Sequence, residues 1–456
     1  MGDCNHIHIL EPTNERQYHI SLVVADIEKK LKGPESEQQS SELCIFRVPK
    51  NLRRLKEVAC TPKLISIGPF FHEDESLKAS EEHKLRYLKG FLGRSTKGIK
   101  DCVETIAELE DRARKCYAEE IPLDGEKFVK MMVLDGCFIV EFLLRYQIVD
   151  HRQEDDPILN TIWMIDIMSD LLLLENQLPF FVLDKIFELL EDDDEEKKDE
   201  KLQFLDLAVN TFGYLWPNVV PRKKEKCEVK HLLDLVRQFF VLSSTDRSRS
   251  NSHLDKQLQR FPSARKLFDA GIALKSVRNK RWLSISFANG FLRIPRITID
   301  DTTKSLLQNL IAFEKYHRDS FQMHIADYVM LMDRLIVTSE DVEVLENCGI
   351  IRNMAGDNRS IVSFFNAIGK EVNSFCMGLH FQDLCRDVNE YYWRSQCKYA
   401  ALAYYQTHLQ RWILILKREY FNSPWAFVSF LAAVMLLVLT FIQTIYTMKP
   451  NSNKGN

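Results

Sequence analysis

An uncharged stretch near the C-terminus constrains this 456-residue chain more than any other feature of its sequence. No charged side chain occurs in Tyr420–Met448, and only Ser429 and Thr440 interrupt the apolar run Trp425–Ile442. A helix that crosses the roughly 30 Å hydrocarbon core of a bilayer needs about 20 predominantly apolar residues. We therefore predict one transmembrane helix over residues 424–446.

The start of this span favours a membrane helix over the alternative, a buried core helix. Pro424 suits the first helical position, where the backbone N–H has no partner within the helix. Trp425 is the kind of aromatic residue that lies at membrane interfaces. A core helix of this length usually carries a polar face. Pro424 and Trp425 are therefore predicted anchor residues, with the lipid bilayer as a partner.

Charges and cysteines predict on which side of the membrane the large domain lies. Arg411, Lys417 and Arg418 precede the span, and positive residues accumulate on the cytoplasmic side of membrane helices. The eleven cysteines are scattered and form no C-x-x-C pair, which is typical of reduced thiols in a cytosolic domain. The sequence thus predicts a single-pass protein with its large domain in the cytosol. Which membrane holds it is left open.

The charge balance excludes one class of partner. The formal net charge is −4 and the two signs are mixed along the chain. Binding to nucleic acid requires a clustered basic face. We therefore expect no nucleic-acid partner.

Helical periodicity dominates the remainder of the chain, which predicts a mainly α fold. Apolar residues recur at intervals of three and four in Phe128–Tyr146 and more densely in Ile162–Leu190. Within the second segment, Pro179 predicts that the helix breaks or kinks just before this residue. The predicted architecture is a large helical domain with a small β-hairpin element and one C-terminal transmembrane helix. The predicted boundaries are an N-terminal arm at 1–19, a helical cytosolic domain at 20–421 with exposed insertions near 191–200 and 243–252, the transmembrane helix at 424–446 and a short tail at 447–456.

One segment, Leu283–Ile299, has the pattern of a β-hairpin. Apolar residues alternate with polar or small ones before Asn289-Gly290, a dipeptide typical of tight hairpin turns. Pro295 in the returning strand cannot donate to a sheet ladder, so it predicts an edge strand.

Common catalytic signatures are absent from the sequence, including the P-loop, G-x-S-x-G, H-E-x-x-H and the dinucleotide-binding fingerprint. Asp192, Asp193 and Glu196 have the spacing of a magnesium site, but they lie in a charged run that contains lysines. A run of this kind is usually a solvated loop.

A second constellation, Cys376, His380 and Cys385, could be part of a zinc site. Cys376 and His380 share a helix face, but Cys385 does not, and a fourth ligand is missing from the pattern. We expect buried thiols and a hydrogen-bonded histidine instead. The sequence therefore predicts no catalytic residue, no cofactor and no metal.

Three acidic residues, Asp135, Glu141 and Glu175, lie within apolar helical patterns. Buried carboxylates can have perturbed pKa values, as they do in active sites. They can also cap helices or pair with arginines in a large core, which is the interpretation we favour. In the polar insertion, Ser248 and Ser250 each follow an arginine and are candidate phosphorylation sites.

Several short motifs, taken in order, resemble the plant Domain of Unknown Function 247 family, whose members include UPF0481-like proteins. The resemblance lies in Arg47-Val-Pro49, Ser66-Ile-Gly-Pro69, Glu82-x-Lys84, Asp135-Gly-Cys-Phe with Glu141, Leu172–Pro179 and Asn309-Leu-x-Ala-x-Glu314. The resemblance implies a plant-specific protein without an established enzyme activity. It also marks a set of motif residues to which we assign structural roles: Arg47, Pro49, Gly68, Pro69, Glu82, Lys84, Asp135, Glu141, Glu175, Asn176, Pro179 and Glu314.

Two functions fit these observations. The favoured one is a non-enzymatic, membrane-tethered recognition or signalling module with an unidentified protein partner, because catalytic motifs are absent and an anchor is present. The alternative is an enzyme that acts on a lipid-like substrate through buried carboxylates. A large internal pocket lined by Asp135, Glu141 and Glu175 would favour the alternative, and their burial without a cavity would count against it.

Overall fold

The computed structural model describes most of the chain as helices around one hydrophobic core. The described residues are 12–31, 42–147, 156–159, 163–190, 203–215, 228–241, 261–278, 281–316, 323–373, 380–420 and 424–448. The predicted insertions near 191–200 and 243–252, the tail beyond residue 448, Ser248, Ser250 and Cys376 lie outside these residues. The mainly α prediction is confirmed.

Nine α-helices lie in the described residues up to Val241. They are α1 (Pro12–Leu31), α2 (Lys50–Arg53), α3 (Ala79–Arg94), α4 (Ile99–Lys115), α5 (Gly125–Gln147), α6 (Trp163–Asp170), α7 (Phe180–Glu188), α8 (Phe204–Leu215) and α9 (Leu232–Phe240). Helix α1 crosses the boundary that the sequence suggested between residues 19 and 20.

Helix α5 is the centre of the core. Every side chain from Val129 to Arg145 except Lys130 is buried, because this sequence is apolar on all sides and such a helix must be surrounded by protein. Helices α3, α4, α7 and α8 pack around it. The helix predicted over Phe128–Tyr146 is confirmed.

The break predicted before Pro179 is also confirmed, but it is a non-helical segment instead of a single kink. Helix α6 ends at Asp170, and Leu171–Leu178 is non-helical although it is buried throughout. Pro179 then caps α7 with φ −59°, a value that the proline ring imposes anyway.

The second half of the domain contains two small sheets among helices. Its elements are α10 (Ala264–Asp269), β1 (Ala273–Val277), β2 (Ser286–Ala288), β3 (Phe291–Pro295), β4 (Ile297–Ile299), α11 (Asp301–Tyr316), α12 (His324–Leu335), α13 (Ser339–Asn347), β5 (Ile351–Asn353) and α14 (Asn358–Val372). Strands β4 and β5 pair in parallel.

The predicted hairpin is confirmed, but the predicted edge strand is wrong. Strands β2 and β3 are antiparallel around Asn289 (φ 52°) and Gly290 (φ 77°), both in the left-handed region that such a turn needs. Strand β3 lies in the middle of the order β1-β3-β2 because β1 pairs with it in parallel. Pro295 is tolerated because it is the last residue of β3, opposite Val277.

Two helices form the C-terminal part, α15 (Gln382–Ile415) and α16 (Pro424–Met448), with a π-helical turn at Leu416–Tyr420 after α15. Within α16, Phe427–Thr447 is long and apolar enough to cross a membrane, with a mean hydropathy of 2.3, and its side chains do not pack inside the protein.

Candidate functional site

Several of the motif residues meet where the N-terminal segment 44–70 lies against the non-helical Leu171–Leu178. Glu175 is fully buried, and its carboxylate accepts a hydrogen bond from the Val48 backbone N–H at 2.6 Å. It also forms ion pairs with Arg53 and, at 3.3 Å, with Arg47. Pro49 starts helix α2 beside this contact. The carboxylate therefore fixes the N-terminal segment instead of facing a ligand.

The next polar residue, Asn176, extends the same connection. Its Oδ1 accepts from the Ile67 N–H at 2.7 Å, and its Nδ2 donates to the carbonyls of Ile65 and Asp170, each at 3.0 Å. A side-chain amide can thus pair with an irregular backbone that forms no ladder of its own. Leu174 adds a third connection, because its N–H donates to Oδ1 of Asn309 in α11 at 2.9 Å.

Asp170 is the last residue of α6 and precedes these motif residues in the sequence, and its side chain binds the backbone of the N-terminal segment. Its carboxylate accepts the backbone N–H groups of Lys63, Leu64 and Ile65 at 2.8–3.0 Å. Burial raises the pKa of Asp170 to about 6, although the three N–H donors oppose this shift. The sequence analysis did not select Asp170, since nothing in the apolar run around it signals a distant backbone partner.

A second cluster lies around Gly68, whose φ of +71° is in the left-handed region. A Cβ on Gly68 would lie 2.7 Å from the Gln177 carbonyl oxygen, so only glycine fits. The Gly68 N–H donates to Asp135 Oδ2 at 2.8 Å. Pro69 follows as the first residue of a short 3₁₀ helix.

Asp135 is paired with Lys84, and both side chains are buried. Lys84 Nζ lies 2.7 Å from Asp135 Oδ1, 2.7 Å from Glu81 Oε1 and 3.2 Å from Ser66 Oγ. Burial would lower the pKa of Lys84, but the two carboxylates outweigh it and raise the pKa. Burial raises the pKa of Asp135, with Lys84 opposing. We assign a charged pair at neutral pH, because the lysine has two carboxylate partners.

Glu82, which the sequence analysis placed with Lys84, lies elsewhere. It is exposed in the first turn of α3, and its neighbour Glu81 is the residue that contacts Lys84. The spacing of three residues from Glu81 to Lys84 lets the two side chains meet on one helix face.

Glu141 and Glu314 are neutralised in the same way as Glu175. Glu141 pairs with Arg145 at 2.6 Å and with Arg94 at 2.9 Å. Glu314 pairs with Arg237 at 3.1 Å and accepts the N–H groups of Ile325 and Ala326 at the start of α12. Burial raises the pKa of Glu314, and Arg237 opposes that shift. Each acidic motif residue except Glu82 is therefore bound to partners within the protein.

Two cavities in the described part of the chain are not lined by these carboxylates, although the second is lined by Arg47, which pairs with Glu175. One has a volume of about 570 Å³ and lies between α3, α4 and α5, and the other, of about 350 Å³, lies beside Phe70 and Glu119. The three carboxylates of Asp135, Glu141 and Glu175 are buried and line neither of the two cavities.

No group of three or more His, Cys, Asp and Glu side chains among the described residues could hold a metal ion. Of the zinc candidates, His380 donates its backbone N–H to Asp327 and packs its ring edge-on against His324. Cys385 is buried, and burial raises its pKa to about 12.

Comparison with known proteins gives the family of the chain. Residues 45–439 match the model of DUF247, a plant protein family of unknown function. The chain belongs to this family, as the motifs suggested. It is similar to two UPF0481 proteins of Arabidopsis thaliana. One is 32% identical over 91% of this chain and 88% of the relative, and the other is 24% identical over 95% and 96%. No solved structure matches.

Proposed function

We propose that the protein is a non-enzymatic recognition or signalling module, tethered to a membrane by α16, with its helical domain in the cytosol. The observation that carries the tether is the apolar surface of α16, which is not buried within the described part of the protein. Leu436 is 65% exposed and Trp425 is 80% exposed, and hydrocarbon is the environment in which such a surface is stable.

The interior of the domain supports a role without catalysis. A catalytic carboxylate must reach its substrate, whereas Asp135, Glu141 and Glu175 are each at most 1% exposed and bound to lysine or arginine. These groups have the partners that a large core requires. The same ion pairs weigh against the enzyme alternative.

Exposed aromatic side chains on α15 support recognition of a partner near the membrane. Tyr405 is 69% exposed and Trp412 is 63% exposed, and tyrosine and tryptophan are enriched among residues that dominate binding energy. Tethering confines such a partner to a thin layer and raises its effective concentration.

The tether is tested by membrane fractionation of the full chain. The double variant Leu436→Arg/Leu437→Arg places two charges at the centre of α16, each costing about 2.5–3.5 kcal/mol there. We expect it to move into the soluble fraction. Tyr446→Arg is the matched control, because an arginine near the helix end can reach the interface and should remain bound. Retention of the double variant in the membrane would refute the tether.

Topology is tested with glycosylation sites. The sequence Asn358-Arg-Ser lies in the helical domain, and a new acceptor site can be fused after Asn456. We expect a glycan on the fused site and none on Asn358. A glycan on Asn358 would reverse the orientation.

Proximity labelling from the domain, compared between the wild type and Trp412→Ala, tests recognition. An unchanged set of labelled neighbours would count against α15 as the contact surface.

A further inference from the structure

Two buried cysteines lie side by side where the N-terminal segment meets the end of α4. Cys44 and Cys116 are each 3% exposed, and both are free thiols in the structure. The backbone N–H of Cys44 donates to the Cys116 carbonyl at 3.0 Å, and the next residues, Ile45 and Tyr117, form a parallel β-bridge. Standard backbone dimensions then place the Cα atoms of the two cysteines at most about 7 Å apart, and closer where the bonds are not collinear. The backbone therefore already has the spacing that a disulfide requires.

The two thiols also interact with each other. A hydrogen bond between them raises the pKa of Cys44, and burial raises it further. The same hydrogen bond lowers the pKa of Cys116, although burial opposes this shift, and the positive charge of Arg112 adds to the lowering. The thiolate is the reactive form of a cysteine. Cys116 is therefore the nucleophile of the pair, and Cys44 is the thiol that reacts second.

We propose that Cys44 and Cys116 form a reversible disulfide when hydrogen peroxide oxidises them, and that this bond links the N-terminal segment covalently to the end of α4. In the first step the Cys116 thiolate attacks one peroxide oxygen, so that an S–O bond forms, the O–O bond breaks and the leaving hydroxide takes up the proton that Cys116 released. In the second step the Cys44 sulfur attacks the Cys116 sulfur, the S–O bond breaks and the second hydroxide takes the Cys44 proton. Two thiols and one peroxide give one disulfide and two water molecules.

The disulfide would restrain the lining of a cavity. Arg47 and Glu119 each follow one of the two cysteines by three residues, and they form an ion pair at 3.2 Å. Both line the cavity of about 350 Å³. An ion pair that is about half exposed contributes little to stability by itself. A covalent bond three residues away holds the same two chain segments together, so oxidation reduces the freedom of this cavity to open.

A second pair of cysteines is less suited to this reaction. Cys102 of α4 and Cys137 of α5 are also hydrogen-bonded to each other and are fully buried. They lie between two long helices that pack against each other, so an oxidant reaches them only when the helices separate. Cys44 instead lies in a non-helical stretch near the start of the described part of the domain. Segments of this kind open locally at a lower free energy than core helices do.

Thiol trapping in cells, followed by mass spectrometry of the full chain, tests the proposal. Cells are lysed in acid, free thiols are alkylated with N-ethylmaleimide in denaturant, and the chain is digested with trypsin, which cleaves between Cys44 and Cys116. We expect both thiols to be alkylated in untreated cells. After treatment with hydrogen peroxide we expect a linked pair of peptides that is lighter than the two thiol peptides by two hydrogens. Dithiothreitol should separate the pair.

Variants separate the two steps of the reaction. In Cys44→Ala the first step remains possible, so peroxide should leave Cys116 as a sulfenic acid that dimedone traps. In Cys116→Ala we expect no dimedone adduct on Cys44, whose pKa is raised. Cys385→Ala is the matched control, because Cys385 is equally buried in another part of the domain, and this variant should form the link as the wild type does.

Denaturant unfolding of the purified full chain measures the effect of the bond on the domain. Oxidation should move the unfolding midpoint of the wild type to higher denaturant, because the disulfide restricts the unfolded chain. The midpoint should return on reduction and should not move in Cys44→Ala. An oxidised wild type that carries the link but has an unchanged midpoint would show that the bond does not restrain the domain.

Other results would overturn the proposal in distinguishable ways. If peroxide produces no link, or drives Cys116 to a sulfinic acid instead, the pair does not form a disulfide. A link between Cys102 and Cys137 in its place would show that the wrong pair was chosen. Reversibility rests on the proposed cytosolic orientation, since disulfides persist in oxidising compartments. A link already present in untreated cells would therefore refute the reversible bond, and a glycan on Asn358 would show whether the orientation fails with it.

Discussion

The pair formed by Lys84 and Asp135 allows a quantitative test of the structural role assigned to the motif residues. Replacing Lys84 with methionine shortens the side chain by one atom and removes its charge. Asp135 is then left charged in the core with the Gly68 N–H as its remaining described hydrogen-bond donor. Breaking a buried pair in this way costs about 3–5 kcal/mol of folding free energy. We therefore expect Lys84→Met to be strongly destabilising.

The reciprocal change should cost less. In Asp135→Asn the amide oxygen still accepts the Gly68 N–H, and Lys84 keeps Glu81 and Ser66 as partners. A loss of about 1–3 kcal/mol is expected, as for a buried group with weakened hydrogen bonding. In the double variant Lys84→Met/Asp135→Asn no uncompensated charge is left. The double variant should therefore be more stable than Lys84→Met alone.

The assay is denaturant unfolding of the full chain in detergent, followed by far-ultraviolet circular dichroism. A shift in the midpoint at constant slope reports a change in stability, and a changed slope would show that the transition itself has altered. The coupling energy is the departure of the double variant from the sum of the two single variants. If the effects simply add, the two side chains do not form the pair, and the assignment of Lys84 and Asp135 is wrong.

Three further outcomes are expected. Gly68→Ala should lower the free energy of unfolding by at least about 1–2 kcal/mol, because Gly68 has a left-handed φ. Gly93→Ala, in helix α3 with open space around it, should instead raise the free energy of unfolding by up to about 1 kcal/mol. Equal effects of the two variants in a denaturant titration would contradict this. Because the folded-state pKa of Asp170 is raised to about 6 from 3.8, the unfolded state loses its proton first. The wild type should therefore lose about 2 kcal/mol relative to Asp170→Asn as pH rises from 4 to 6, and a pH-independent difference would refute the raised pKa. In maleimide labelling of the native protein, exposed Cys397 should react well before Cys385, which is buried and has a pKa raised to about 12; equal rates would show that the domain opens around Cys385.

Local patterns explain how much of the fold could be predicted. Helix α5 was predictable because its apolar residues follow the helical period, and the β2–β3 turn because Asn289-Gly290 favours the left-handed conformation that it adopts. The parallel pairing of β1 with β3 was not predictable, since the two strands are joined by a long connection and neither contains a residue that specifies the other. The edge-strand prediction from Pro295 failed for this reason.

The partners of the buried carboxylates were less predictable than their burial. An acidic residue among apolar ones, such as Glu175, indicates a buried charge that needs a partner. Which partner it finds depends on tertiary contacts, and here Arg53 lies 122 positions away in the sequence. The same holds for Asp170, whose backbone partners begin at Lys63, 107 positions away. Sequence separation of this size leaves no periodic signal.

The contacts of the motif residues determine where a partner can bind. Lys84, Asp135, Glu141, Glu175 and Glu314 are at most 1% exposed, so a partner cannot contact them in the folded protein. Their ion pairs hold the N-terminal segment, α5 and α11 in one body. It also carries α15 and α16 at the other end of the chain. The proposed recognition takes place on the exposed aromatics of α15, and the motif residues act by keeping the domain that carries them folded. A variant such as Lys84→Met should therefore weaken partner binding only to the extent that it unfolds the domain.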